Sequence, residues 1–378
     1  MRVLITSHPG LGHVNGLAAL ARRLRRHGHP VLAAGAPSAV EAFRLAGIDG
    51  RVIVPEPLGS EAVLTARPPG TDVAGRDRRG VVESEVCLKR RARALLEPLS
   101  ELVEQWRPDV VLRDATESAA WLVSERLRVP HASFEVSTHW SEERWSAEVG
   151  PQLEALRSLA GVRPHPPTSG MYRYLHLNNS PRALLEPGTS LPPTSMDLAP
   201  GFFDDYRPGA LVQPPAGFVY LAFSTVYTAP AEVVRAVVLI LAREHPGVVV
   251  TGGGVDPGDR VWAPDFVSQS ALMPGCAAVV CHGGRNTVLT AAAHGVPVVC
   301  APIASDHFDM ADAVERAGIG RSTGWEAEEI AAAVSAVVGS TEVRRRSAEL
   351  LRQIQAMPTL DDAVGTLERT AAAGAISV

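Results

Sequence analysis

Residues 279–299 read VVCHGGRNTVLTAAAHGVPVV. Two apolar runs flank a His, two glycines and an Asn-Thr pair. A strand ending at Cys281, a turn through Gly283 and Gly284, and a helix opening near Asn286 account for that order. Glycines let the backbone turn tightly and approach a ligand closely. The first N–H groups of the helix have no partner within it, and the helix dipole adds partial positive charge there. Both features suit an anion such as phosphate. The same residues equally describe an ordinary strand–turn–helix connection capped by Asn286 or Thr287. The local pattern leaves both readings open.

The plan recurs outward along the chain. MRVLITS is an aliphatic strand, and GLGHVNGLAALARRLRRHGH follows with helical periodicity at Leu17, Leu20, Ala21 and Leu24 before a second strand at Val31–Ala34. RPDVVLRDATESAAWLVSERLRVPHASF repeats it, with a strand at Val110–Leu112 and a helix over Ser118–Leu127. Residues 181–217 are dense in Pro and Gly and predict a connection without regular structure. GFVYLAFST, a helix at Ala231–Glu244, GVVVTGGG, CAAVVCHGG and GVPVVCAPI then restart the alternation, and 326–374 is Ala-rich with charges at helical spacing. The expected class is α/β, with two facing Rossmann-like doubly wound domains. The expected limits are a first domain over 1–205, a linker over 206–216, a second domain over 217–355, and a C-terminal helix over 356–378 returning to the first.

Composition bounds the function. A chain of 378 residues is long for one core and suggests two domains. Hydrophobic residues at 46% and charged residues at 20% are ordinary for a globular protein. A formal charge of −5 leaves no basic footprint for nucleic acid. The longest apolar candidate, AEVVRAVVLILAREH, is broken by Arg235 and falls short of the ~18–20 residues of a membrane span. The first residues run into a strand pattern with no leader ahead of them, so a cytoplasmic location is expected. The four cysteines show no CxxC spacing and three lie in apolar runs, which argues against disulfides and a zinc site. No Asp-x-Asp pair occurs, so a metal-bridged diphosphate is not expected.

The run HGGRNTVLTAAAHGVPVVCAPIASDHFDMADAVERAGIG, 282–320, resembles the nucleotide-sugar signature of the GT-B glycosyltransferases, the family of plant secondary-product enzymes and actinomycete antibiotic glycosyltransferases. DFVSQSALMPGC resembles its base-binding loop, VYLAFSTVY the strand and hydroxyl turn opening its C-terminal domain, and GLGHVNGLAALARRLRRHGH its N-terminal turn and helix. Residues near 55–90 and 140–210 carry no recognisable likeness.

The resemblance implies roles residue by residue. His282 and the turn Gly284, Arg285, Asn286 and Thr287 would hold the donor diphosphate, faced by Ser224 and Thr225. Ser224 stands where the family usually has Gly. Phe266 would stack on the base, where Trp is usual, and the Val267 backbone would bond the base edge. Asp306 and His307 match an Asp-Gln pair that reads sugar hydroxyls, and His307 departs from it. Met310 stands where Asn is common. Thr290 replaces the Glu that binds ribose hydroxyls in plant members, which hints at a thymidine donor. His13 would be the general base, an imidazole near neutral pKa being suited to that work. Asp114 would fix its tautomer and stabilise the imidazolium. A lone His after a glycine turn is otherwise a cap or solvated loop residue. His8, His139 and Trp140 are acceptor-pocket candidates, and the aromatics among 135–180 equally suit ordinary packing. Gly16 replaces a common Pro, a change expected to alter helix-start rigidity more than chemistry.

The implied function is an inverting, metal-independent transfer of a sugar, a deoxysugar among the candidates, from a TDP- or UDP-activated donor to a small hydrophobic natural product. The nucleoside diphosphate sugar is a co-substrate, and no further cofactor is expected. No nucleic acid or membrane partner is expected, and a homodimer is the one assembly considered. A sugar-nucleotide epimerase and a non-catalytic nucleotide-sugar binder stay open as alternatives. A dinucleotide oxidoreductase fits less well, because neither Gly-rich turn gives GxGxxG followed by an acidic residue ~20 positions on.

Overall fold

The computed structural model describes residues 1–56, 78–163, 166, 168, 170–204, 212–223, 229–252 and 254–376. Contacts cluster the chain into two units. One comprises Met1–Ser180, Pro187–Phe203 and Pro358–Val378; the other comprises Pro181–Glu186 and Asp204–Met357.

The first unit holds β1 (Val3–Thr6), β2 (Val31–Gly35), β3 (Asp49–Val52), β4 (Val110–Asp114), β5 (His131–Phe134), β6 (Leu175–Asn178) and β7 (Ser195–Asp197). Their order in the sheet is β3-β2-β1-β4-β5-β6-β7, and every pair is parallel. Strands β1 and β4 are buried along their whole length, as aliphatic runs covered by helices on both faces must be. The helix Leu11–Arg26 buries Val14, Leu17, Leu20, Ala21 and Leu24. Gly10, at φ 121°, makes the turn into it.

Two parts of the sequence reading change here. The Pro-rich stretch 181–217 is not wholly irregular: Arg182–Leu184 is a short 3₁₀ helix and β7 extends the sheet. A three-residue strand is too short to show alternation, and pairing with β6 creates it. Residues 78–106, where no element was recognised at the start, are helical throughout: Arg78–Val81, a π-helical stretch Val82–Ala92, then Arg93–Trp106. Leu88, Leu95, Leu99 and Leu102 from this stretch join Leu4, Val111, Trp121 and Trp145 in one core.

The second unit holds β8 (Phe218–Ala222), β9 (Val248–Thr251), β10 (Val261–Trp262), β11 (Cys276–Cys281), β12 (Val298–Cys300) and β13 (Gly320–Ser322). The order is β10-β9-β8-β11-β12-β13, again all parallel. The helices Ala231–Glu244 and Ala327–Gly339 cover one face, with Val234, Val237, Leu241, Ile330 and Val334 in the core.

The last helix, Leu360–Ile376, belongs to the first unit. It buries Ala363, Val364 and Leu367, and Ala199 N–H donates to the carbonyl of Pro358 at 2.8 Å. Chain order reverses at β1/β4 in the first sheet and β8/β11 in the second. Open α/β sheets bind ligands at the carboxyl ends of the strands at such a switch point.

Candidate active site

In the first unit the switch point carries His8 just past β1, His13 in the first turn of the helix after it, and Asp114 as the last residue of β4. His13 Nδ1 lies 2.7 Å from Asp114 Oδ2. The His13 side chain is 34% exposed and Asp114 is fully buried, so a ligand can reach the imidazole but not the carboxylate. Asp114 Oδ1 accepts from Thr116 N–H at 2.8 Å and Thr116 Oγ1 at 2.7 Å, which fixes the carboxylate plane. Burial alone would lower the His13 pKa. The charge and hydrogen bond of Asp114 override this and hold it above the ordinary imidazole value. Burial would likewise raise the Asp114 pKa, and the His13 charge and hydrogen bond instead hold it well below the carboxylate range.

The loop bearing Asp114 is built from buried polar groups. Arg113, fully buried, donates to the carbonyls of Ala115 and Met171 at 2.8 and 2.7 Å, and to those of Asp114 and Glu117 at 3.2 Å each. Glu117 caps the helix Ser118–Leu127 by accepting from Ala119 and Ala120 N–H, and it also accepts from Thr6 Oγ1 at 2.8 Å. His8 is buried, with its ring edge-on to His13 at 5.6 Å and Nε2 3.1 Å from the Thr116 carbonyl. Burial pushes its pKa down to about 3. It is a buried neutral ring packed edge-on against His13.

Glu83, on the π-helical stretch, is buried with Oε2 unpartnered. Burial, opposed by Arg79, pushes its pKa up to about 7, and it feels the charges of both Asp114 and His13. Sequence reasoning missed it, because the residues around it have no legible pattern. Arg113 was also missed, although a charged residue in an apolar strand was a signal.

In the second unit His282 follows β11, and Gly283 turns the chain at φ +85°. A Cβ on Gly283 would meet the His307 carbonyl oxygen at 2.6 Å, and one on Gly284 would meet His282 Nε2 at 2.6 Å. Both glycines are therefore needed for close approach. The helix Arg285–Ala292 starts after Gly284 with no side-chain cap on its first N–H groups. The His282 and His307 rings meet edge-on at 4.5 Å, and His307 Nδ1 accepts from Ala304 N–H at 3.3 Å. Burial pushes the His282 pKa down to about 3, so it is a neutral imidazole. Asp306 precedes the helix His307–Ala317, and Arg285 and Asn286 open the helix after the turn.

The remaining residues singled out by the resemblance are placed as follows. Thr287 is buried and its Oγ1 accepts from Gln269 Nε2 at 3.3 Å, within a network reaching Tyr220 and Thr251. Thr290 is buried and donates to the Asn286 carbonyl at 2.8 Å. Met310 is a core residue, 1% exposed, so its departure from the usual Asn is a matter of packing. Phe266 is half-buried and Val267 buried, ahead of the helix Gln269–Leu272. Ser224 and Thr225 lie outside the described residues. His139 and Trp140 are both buried. Trp140 packs edge-on against Trp145 at 5.0 Å beneath Arg79, and His139 faces Glu135.

Residues 230–370 match the family model of the erythromycin biosynthesis protein CIII-like C-terminal domain. The chain is 25% identical to the L-demethylnoviosyl transferase of Streptomyces niveus, over 95% of each chain. It matches the structure of the glycotransferase of kitacinnamycin with a TM-score of 0.79 at 22% identity, over 98% of each chain. It also matches a Streptomyces glycosyltransferase complexed with thymidine diphosphate, with a TM-score of 0.76 at 22% identity over 98% of this chain and 99% of that one. Two parallel Rossmann-like sheets with these likenesses are the GT-B fold, and the chain is a GT-B glycosyltransferase related to the natural-product sugar transferases of actinomycetes.

Proposed function

We propose that the chain is an inverting glycosyltransferase moving a sugar from a nucleoside diphosphate donor to a hydroxyl of a small hydrophobic natural product. The observation that carries this reading is the 2.7 Å pair of His13 and Asp114 at the first switch point. With Nδ1–H donating to Asp114, the Nε2 lone pair is free to take the acceptor proton as its oxygen attacks the anomeric carbon. Asp114 then stabilises the imidazolium. The C-terminal unit supplies the grip on the donor. The positive start of the helix Arg285–Ala292 and the neutral His282 ring carry the diphosphate charge as the leaving group departs. Asp306 and His307 read the sugar.

A thymidine donor is favoured over a uridine one. Thr290 is buried and its hydroxyl donates within its own helix, so that position offers no carboxylate to a second ribose hydroxyl. One structural relative is complexed with thymidine diphosphate. His13→Ala is expected to lower turnover by about 10²- to 10⁴-fold, the usual worth of a positioned base, with calorimetric affinity for thymidine diphosphate unchanged. A variant keeping most of its activity would remove the base assignment. A thermal-shift panel comparing thymidine and uridine diphosphates decides the donor base, and a larger shift with the uridine compound would reverse that preference.

A further inference from the structure

We propose that Glu135, His139 and His176 form a divalent-metal site of the kind that takes zinc, in the first unit and apart from the His13–Asp114 pair. Glu135 stands one residue past β5, His139 four residues further along, and His176 within β6. Each offers one ligand atom, and the three atoms lie within 4.8 Å of one another. Glu135 Oε2 is 2.8 Å from His139 Nδ1 and 3.7 Å from His176 Nε2. All three residues are buried.

The surroundings orient the ligands. Ser133 and His176 are register partners on neighbouring parallel strands, and Ser133 Oγ lies 2.9 Å from His176 Nδ1. With Nδ1–H donating to that oxygen, the His176 lone pair falls on Nε2, toward the carboxylate. A cation between that nitrogen and the carboxylate would hold the ring in this tautomer. His139 presents its other nitrogen: Nδ1 faces Glu135 Oε2 at 2.8 Å and is the atom an ion there would take, while His176 offers Nε2, which has no hydrogen-bond partner.

Arg79 holds the loop between Glu135 and Trp140, donating to Ser137 Oγ at 2.7 Å and to the Thr138 carbonyl at 2.6 Å. Two imidazoles and one carboxylate, with the Ser133 hydroxyl on the far nitrogen of one ring, are a zinc donor set. Magnesium and calcium, which take oxygen ligands, do not fit it. The sequence argument against zinc rested on cysteine spacing, and two histidines 37 positions apart gave no motif. This assignment makes His139 a ligand in place of an acceptor-pocket residue.

The test is zinc stoichiometry on the full chain, stripped with a chelator, dialysed against zinc chloride and read by mass spectrometry of the metal. The wild-type protein is expected to retain about one zinc per chain. His139→Gln and His176→Gln should each lower the affinity by at least about 10-fold, and Ser133→Ala by about 10-fold, the usual cost of losing an outer-shell partner. His245→Gln, at the end of the helix Ala231–Glu244 in the other unit, should keep the full equivalent. Stripped wild-type protein with a native circular dichroism spectrum that takes up no zinc would overturn the site, whatever the variants do. Full zinc retention by both His139→Gln and His176→Gln would overturn it as well.

Discussion

His13 and Asp114 are 101 positions apart and meet at 2.7 Å, and that single distance sets the pH behaviour of the proposed base. The base form of His13 exists only above its raised pKa. The ratio kcat/KM is therefore expected to climb with pH along a limb lying above ~6.5, the ordinary imidazole value. Asp114→Asn removes the group that raises it. The limb should move to lower pH, and the plateau should fall by on the order of 10³- to 10⁴-fold, because the amide no longer fixes the tautomer. A limb that stays in place would assign it to another group. The pair also links stability to pH. The Asp114 pKa is depressed by folding, so its contribution is complete above ~3.9 and is lost as pH falls through the folded value. The His13 pKa is raised, so its contribution is complete below ~6.5 and is lost as pH rises through the folded value. Urea unfolding across pH should show the pair's full contribution between those limits and a loss outside them. Both residues were legible from sequence, one after a glycine turn and the other at a strand end. Glu83 and Arg113 were not, since their place beside the pair is created by packing.

At the scale of elements, two glycines separate packing from chemistry. Gly16 lies in the helix Leu11–Arg26, and a Cβ there would meet the buried Phe134 ring at 2.6 Å. Gly16→Ala gains about 1 kcal/mol of helix propensity. Overpacking against β5 costs about 1–3 kcal/mol and should outweigh it. Denaturant unfolding is expected to show net loss, relieved when Phe134→Leu is added; a stabilised single variant would mean that the ring moves aside freely. The sequence reading treated this position as a question of rigidity, because Phe134 is a neighbour only once β5 has joined the sheet. Gly283 is constrained twice, by φ +85° and by the His307 carbonyl. Gly283→Ala should displace the turn and weaken thymidine diphosphate binding by calorimetry, while leaving the His13 pH limb where it was. Unchanged affinity would show that the turn does not grip the diphosphate.

At the scale of the molecule, the C-terminal helix ties the end of the chain to its start. His27 and Arg23 reach Asp361 at 3.0 and 3.4 Å, and His29 reaches Glu368 at 2.9 Å. The two pairs on Asp361 are exposed and worth little, and Asp361→Ala should cost less than about 1 kcal/mol. The fully buried Leu367 matters more. Leu367→Ala should cost about 2–5 kcal/mol in urea unfolding, and comparable losses in the two variants would mean that charge, not burial, holds the helix.

Strand–turn–helix periodicity, the glycine turns and the apolar runs determined by themselves that the chain is α/β, that the plan occurs twice, and which residues end up at the strand ends. Those features are local, encoded by neighbours a few positions apart. Tertiary structure alone decided that β7 exists, that Gly16 is a packing glycine, that Thr290 and Met310 turn into the protein, and that Glu135, His139 and His176 converge. Each depends on what lies on the adjacent strand or helix, and one sequence read along its length does not contain that neighbour until the sheet has formed.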